Sequence, residues 1–159
     1  MATVSVVPDL IDALISAYRE RRADVLVVDG SDPVGDDADL VLYVGMADPR
    51  STAADNAAGS LTQEWPNATA QTRRETGTIT CAAMAFDGSE VMKAARDAVF
   101  SIFSDVQLMM WADPRLGVAG VVKTSVGNVS LDQAMTTRGA FATLLFSIDF
   151  ESRLERAAA

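Results

Sequence analysis

The sequence predicts an α+β fold, a two-layer sandwich with two helices on one face of a mainly antiparallel β-sheet. Three observations carry that expectation. Residues 142–150 alternate between an apolar set (Ala142, Leu144, Phe146, Ile148, Phe150) and a mostly polar one, as a strand with one covered face does. Residues 91–110 place apolar side chains at spacings of three and four in a stripe wide enough for a helix lying across a sheet. A second one-sided helix precedes the first β-branched run, so both helices can share one face. The expected order is α-β-β-β-α-β-β.

Each element has a local reason. Pro8 restricts φ and Asp9 places a negative charge at the positive end of a first helix, whose stripe is Leu10, Leu14 and Tyr18 with Ile11 and Ile15. Arg19, Arg21 and Arg22 follow where cations suit the last turn. Val25 to Val28 reads as a short strand ended by Asp29-Gly30, and a loop rich in Asp, Gly and Pro leads to a second run, Leu40 to Met46. Residues 47–74 read as one long irregular loop of the kind that binds a partner, with Leu61 and Trp65 as candidate anchors. Thr76 to Phe86 is extended and Asp87-Gly88 turns the chain. Ser89 is the expected N-cap of the second helix and Glu90 its first-turn acid. The stripe of that helix is Val91, Ala95, Ala98, Ile102, Val106 and Met109, widened by Val99, Phe103 and Met110. Asp113-Pro114 ends it and Gly117 lets the chain reverse. Residues 118–131 are the expected partner of the last strand, with Gly120 and Gly127 at bulges or bends. A loose tail is expected at 154–159, and the whole chain, 1–159, reads as a single domain without internal repeats.

A chain of 159 residues can bury a core without metals or disulfides. The hydrophobic fraction of 49% and mean hydropathy of +0.16 are on the apolar side for a soluble protein and point to an oligomer. The net charge is −9, from 13 basic and 22 acidic residues. That opposes general nucleic-acid binding, which needs a basic surface to displace counterions. It suits a surface that nucleic acid passes without sticking, and also plain solubility through self-repulsion. The single cysteine, Cys81, sits in a predicted strand and reads as a small buried thiol. The N-terminus lacks the features of a signal peptide, and no apolar run reaches the roughly 18–20 residues of a membrane span. A soluble protein made in the cytoplasm, with no membrane contact, is expected.

The chain contains no histidine, which removes Ser-His-Asp triads, Cys-His dyads and imidazole metal sites, and one cysteine cannot hold zinc. Gly117 to Thr124 superficially resembles a phosphate loop, but two valines separate Gly120 from Lys123. The acidic group Asp29, Asp32, Asp36, Asp37 and Asp39 can be a solvated loop, an interface or lumen-facing patch, or a hard-cation site, although its spacing is not that of an EF-hand. Arg73 and Arg74, ahead of Glu75 at a strand entrance, are either solvated or in contact with a neighbouring subunit. No catalytic, cofactor-binding or metal-binding residue is expected, and the chain does not read as an enzyme.

Five segments occur in order: Leu42-Tyr43-Val44-Gly45, Gln63-Glu64-Trp65, Arg74-Glu75-Thr76-Gly77-Thr78-Ile79, Ala112-Asp113-Pro114-Arg115-Leu116-Gly117 and Arg138-Gly139-Ala140. Together, over roughly residues 40–153, they resemble the tail terminator (tail-completion) proteins of long-tailed, siphovirus-type phages of actinobacteria. The resemblance implies a structural virion protein at the head–tail interface. It implies a homo-oligomer, a hexameric ring, that caps the head-proximal end of the tail tube and stops polymerisation at the length set by the tape measure protein. The implied partners are the tail tube protein, the tape measure protein and the head-completion (stopper) protein, with genomic DNA passing through unbound and no cofactor. A closed ring uses a heterologous interface, one patch meeting a different patch of the next copy. Residues 47–74 are the expected reach toward a neighbour or the tube. If acidic residues line the lumen, they repel the phosphates of passing DNA. The competing readings are another neck or tail-tube component, which polymerises without a stop, and a small ligand-binding α+β domain.

Overall fold

In the computed structural model, which describes residues 4–30, 38–50 and 57–155, two helices cover one face of a six-stranded sheet. The first helix, α1 (Val7–Arg21), starts at Pro8 and Asp9 as expected. Two short strands follow, β1 (Leu26–Asp29) and β2 (Leu40–Val44). Next come β3 (Gly59–Glu64) and the long β4 (Thr72–Asp87). The second helix, α2 (Met92–Ala112), leads into a hairpin of two long strands, β5 (Val121–Thr136) and β6 (Gly139–Glu155). The order is therefore α-β-β-β-β-α-β-β.

The extra strand corrects the expectation of one irregular loop over 47–74. β3 occupies Gly59–Glu64 and β4 already begins at Thr72, while residues 51–56 lie outside the described residues. β3 has one large apolar residue, Leu61, so it shows no hydrophobic alternation; its pairing comes from the edge that β4 offers. Two smaller corrections concern element ends. Ser89 does not cap α2, because Glu90 has a positive φ of 62° and the helix begins after Val91, with no side-chain cap. Ser89 instead donates through its N–H and its hydroxyl to Asp87 Oδ1, closing the turn. At the other end Leu154 is buried and Glu155 belongs to β6, so the tail is not loose at these positions; residues 156–159 lie outside the described ones.

The sheet runs β1-β2-β4-β6-β5, with β3 also on β4. β1 and β2 are parallel and every other pair is antiparallel. β4 pairs with β6 from Thr72↔Glu155 to Asp87↔Ala140. Its other edge is shared end to end: β3 takes Arg74 to Ile79 and β2 takes Cys81 to Ala85. At the junction Thr80 accepts through its carbonyl from the N–H groups of Gly45 and Met46, and donates to the carbonyls of Ala57 and Ala58. β5 leaves register twice, at Val121/Lys123 and at Gly127/Val129, the second at a glycine expected to mark a bulge.

The main core lies between the helices and one sheet face. Leu10, Leu14 and Tyr18 from α1 and Val99, Ile102 and Val106 from α2 meet Leu42, Ile79, Cys81, Leu144 and Ile148. Val91, expected in the α2 stripe, is exposed at the N-cap. Burial pushes the Cys81 thiol up to about 12, so it is neutral and unreactive. The opposite face has a smaller patch, Val28, Val41, Tyr43 and Ala82, covered in part by Ala38 and Met46. From Met46 the chain crosses this face, and Arg50 reaches Asp132 of β5 at 3.0 Å.

Two polar clusters tie the layers. Glu75 is 0% exposed, and its Oε1 accepts from the Ser5 hydroxyl (3.0 Å) and the Val6 N–H (2.9 Å). Its Oε2 accepts from the Gln63 amide (2.5 Å), so one carboxylate joins the N-terminal segment, β3 and β4. At the far end of α1, Arg22 donates to Asp24 (2.8 Å) and to Asp105 of α2 (2.8 Å), and Arg21 donates to Asp105 (3.1 Å). The Arg22 guanidinium holds the Asp24 carboxyl down at about 2. Burial alone would raise Asp105, but Arg22 and Arg21 outweigh it and hold it below the ordinary value.

Glu75→Ala leaves the buried Val6 N–H without its acceptor and releases the part-buried Ser5 and Gln63 bonds, and should lower the unfolding free energy by about 1–3 kcal/mol in urea denaturation, with Glu75→Gln losing less. The helix clasp has a definite pH sign, since both carboxylates are depressed on folding. Its contribution is complete above the ordinary carboxylate value of 3.8 and fades as the pH falls toward about 2. Urea midpoints measured from pH 5 to pH 2 should fall less steeply in Arg22→Ala than in the parent chain.

Candidate functional site

β3 and the start of β4 form an arm that the helices do not cover. All six β3 residues are exposed, and among the described residues β3 pairs along one edge, with β4. Gly77 explains how closely the two strands approach: a Cβ there would stand 2.2 Å from the Ser60 carbonyl oxygen and 3.0 Å from the Phe150 ring. No larger residue fits without moving β3 away.

The expected interface residues divide between this arm's outside and its internal fastening. Leu61 and Trp65 are 44% and 47% exposed. Arg73 is half-buried, with its guanidinium over the Trp65 ring at 5.3 Å and a 2.7 Å hydrogen bond to the Val4 carbonyl. Its role is to hold the N-terminal segment and Trp65 to the arm. Arg74 is exposed and pairs with Glu151 of β6 at 3.2 Å. Glu151 also faces Lys123 of β5 at 3.8 Å, and Arg74 stands opposite Glu64 in the β3–β4 register. Glu64, Arg74, Glu151 and Lys123 thus alternate in sign along a diagonal across the face away from the helices, from the β3 edge to the β5 edge, while Arg74 directly faces the exposed Arg153 of β6.

The acidic group does not come together in the described residues. Asp29 ends β1 and Asp39 immediately precedes β2; because these strands are parallel, the two carboxylates sit at opposite ends of the pair. Both are exposed, and Asp32, Asp36 and Asp37 lie outside the described residues. Among the described residues no group of His, Cys, Asp and Glu could hold a metal ion. An open groove of about 620 Å³ between the end of α1 and the starts of β1 and β2 is lined by Arg19, Arg22 and Asp24 among others. Arg22 and Asp24 bind each other there, and Arg19 donates to the Val27 carbonyl.

A second exposed surface escaped the reading of the stripe. Phe100, Leu108 and Trp111 of α2 are 41%, 42% and 73% exposed. With Ser104 they fall on one outer face, opposite Ala95, Val99, Ile102 and Val106. The legible signal was that the C-terminal half of α2 is apolar around most of its circumference, as helices buried on two sides are. Toward the N-terminus the same face carries the Lys93–Asp97 ion pair instead.

No protein-family model matches this chain, and no curated protein matches it.

Trp111→Ser should leave the unfolding free energy within about 0.5 kcal/mol of the parent chain in urea denaturation. A larger stability loss would place the indole in the core of the single chain.

Proposed function

We propose that this protein is a structural subunit that closes into a ring at the head-proximal end of a phage tail tube, where it ends tube growth and receives the head-completion protein. The observation that carries this reading is the β3 arm, a regular strand exposed on both faces and, among the described residues, unpaired along one edge. A strand so placed buries little within its own chain and gains most from a neighbour. The apolar outer face of α2 supports the same conclusion, because an exposed Trp, Leu and Phe on one helix face mark an interaction surface. The ordered motifs fit as well: Glu64, Trp65, Arg74, Glu75 and Gly77 all belong to the arm or its fastening.

In this reading the chain does no chemistry. Its thiol is buried, and of its two groove arginines Arg22 is held by Asp24 and Arg19 by the Val27 carbonyl. The virion is its place of action and the host cytoplasm its place of assembly, which agrees with the finding that no described helix is long and apolar enough to cross a membrane. The net charge of −9 opposes general DNA binding to the ring, and acidic residues that line the lumen would let the genome pass by repulsion.

Multi-angle light scattering on the purified chain, followed by electron microscopy with tail tubes, tests the proposal. The expected result is a discrete ring, a hexamer, that sits on one tube end and stops elongation. Long tubes built from this chain alone would make it a tube subunit instead, and a chain that stays monomeric and leaves tubes uncapped would overturn the reading.

A further inference from the structure

The three strands with outer edges free among the described residues differ in how they are protected. β1 has four residues and ends in Asp29. β5 is interrupted by its two bulges, which leave Lys123 to Gly127 as the regular window between them. β3 has six residues, with no proline, lysine or bulge. Short length, charge and bulges are the usual means of keeping a strand edge from pairing, and β3 uses none of them apart from Glu64 at its end.

β3 and the β5 window lie at the same level on opposite sides of the sheet. Ser60 is opposite Thr78, which is opposite Asp149, which is opposite Ser125. Across this level the order is β3, β4, β6, β5, and every step is antiparallel. A second copy in the same orientation therefore brings its β3 antiparallel to β5, with no inversion. Rotation about an axis along the strands keeps that orientation, as a closed ring requires. Charge agrees with direction. The diagonal Glu64, Arg74, Glu151, Lys123 alternates in sign, with Arg153 as a further cation beside Arg74, and ends positive at β5, while the next copy begins negative at Glu64. On the helix-side face Leu61 would come against the half-buried Val126, beside Thr124, which is already covered and donates to the Pro114 carbonyl. Pairing β3 with β3 about a two-fold axis would meet no such cation.

We infer that the free edge of β3 docks on the Lys123–Gly127 window of β5 in a second copy of this chain, head to tail, with Ser60 opposite Ser125, Thr62 opposite Lys123 and Glu64 diagonal to Lys123. The sheet then runs from one copy into the next. This deepens the ring reading and rests on it.

Disulfide trapping tests the register. Within one chain Ser60 and Ser125 are three strand spacings apart, ~14 Å, well beyond disulfide reach, so any bridge joins two copies. Cys81 is buried and does not compete. Mild oxidation of the Ser60→Cys/Ser125→Cys chain should give a covalent ladder ending at the size of the assembly seen by light scattering, with no ladder in either single variant. A covalent dimer of Ser60→Cys alone would show two-fold β3 pairing and overturn the proposal. An assembly of normal size with no bridge would overturn the edge pairing and leave the ring intact; a monomer that leaves tubes uncapped would remove both. Charge exchange is the second arm. Glu64→Lys and Lys123→Glu should each weaken assembly about tenfold or more, and the double exchange should restore it to within about threefold. Stronger assembly by Lys123→Glu alone would mark Lys123 as a guard against pairing and overturn the proposal.

Discussion

The pairing of β4 with β6 over their whole shared length organises this molecule. Small and β-branched residues on the helix-side face of β4, Ile79, Cys81, Ala83 and Ala85, let two helices lie close to the sheet. Because β4 is sixteen residues long and β2 only five, one edge of β4 has room for another strand. β3 fills that room. The arm, its exposed faces and its outer edge all follow from this difference in strand length.

Burial is distributed accordingly. Where β2 lies on β4, α1 and α2 cover the sheet and the residues are closed to solvent. Where β3 lies on β4, the cover is reduced to the N-terminal segment, held by the Glu75 carboxylate and by Arg73. A buried carboxylate with three donors is stable only as a complete set, since removing any one member leaves the others desolvated. The arm is therefore rigidly attached although its own surface is open. A fixed, open strand edge suits an assembly interface, because little ordering entropy remains to be lost on docking.

How the two long edges are treated bears on function. β5 carries two bulges and the charged residues Lys123 and Asp132, and β3 carries no bulge and one charged residue, Glu64. A copy that presents one edge of each kind, at one level and with opposite terminal charges, can add head to tail. The −9 net charge limits indiscriminate association, so specific contacts must overcome a general repulsion.

Much of the scaffold was readable in the chain itself. The period of two in Ala142 to Phe150, the helical stripes of Leu10–Tyr18 and Ala95–Met109, and the stops at Asp113-Pro114 record burial directly, since each residue's polarity reflects which side of its own element faces the core. The bulge near Gly127 was readable for the same local reason. Ser89 misled because a capping residue and a turn residue have the same chemistry, and the positive φ of Glu90 selects the turn. β3 was hidden because both of its faces are exposed, so its sequence carries no period at all. The alternating diagonal from Glu64 to Lys123 was equally invisible, as its members become direct or diagonal neighbours only when four strands pair. Local polarity is written residue by residue, whereas edges and cross-strand neighbours exist only once distant segments have paired, and that pairing belongs to the tertiary fold.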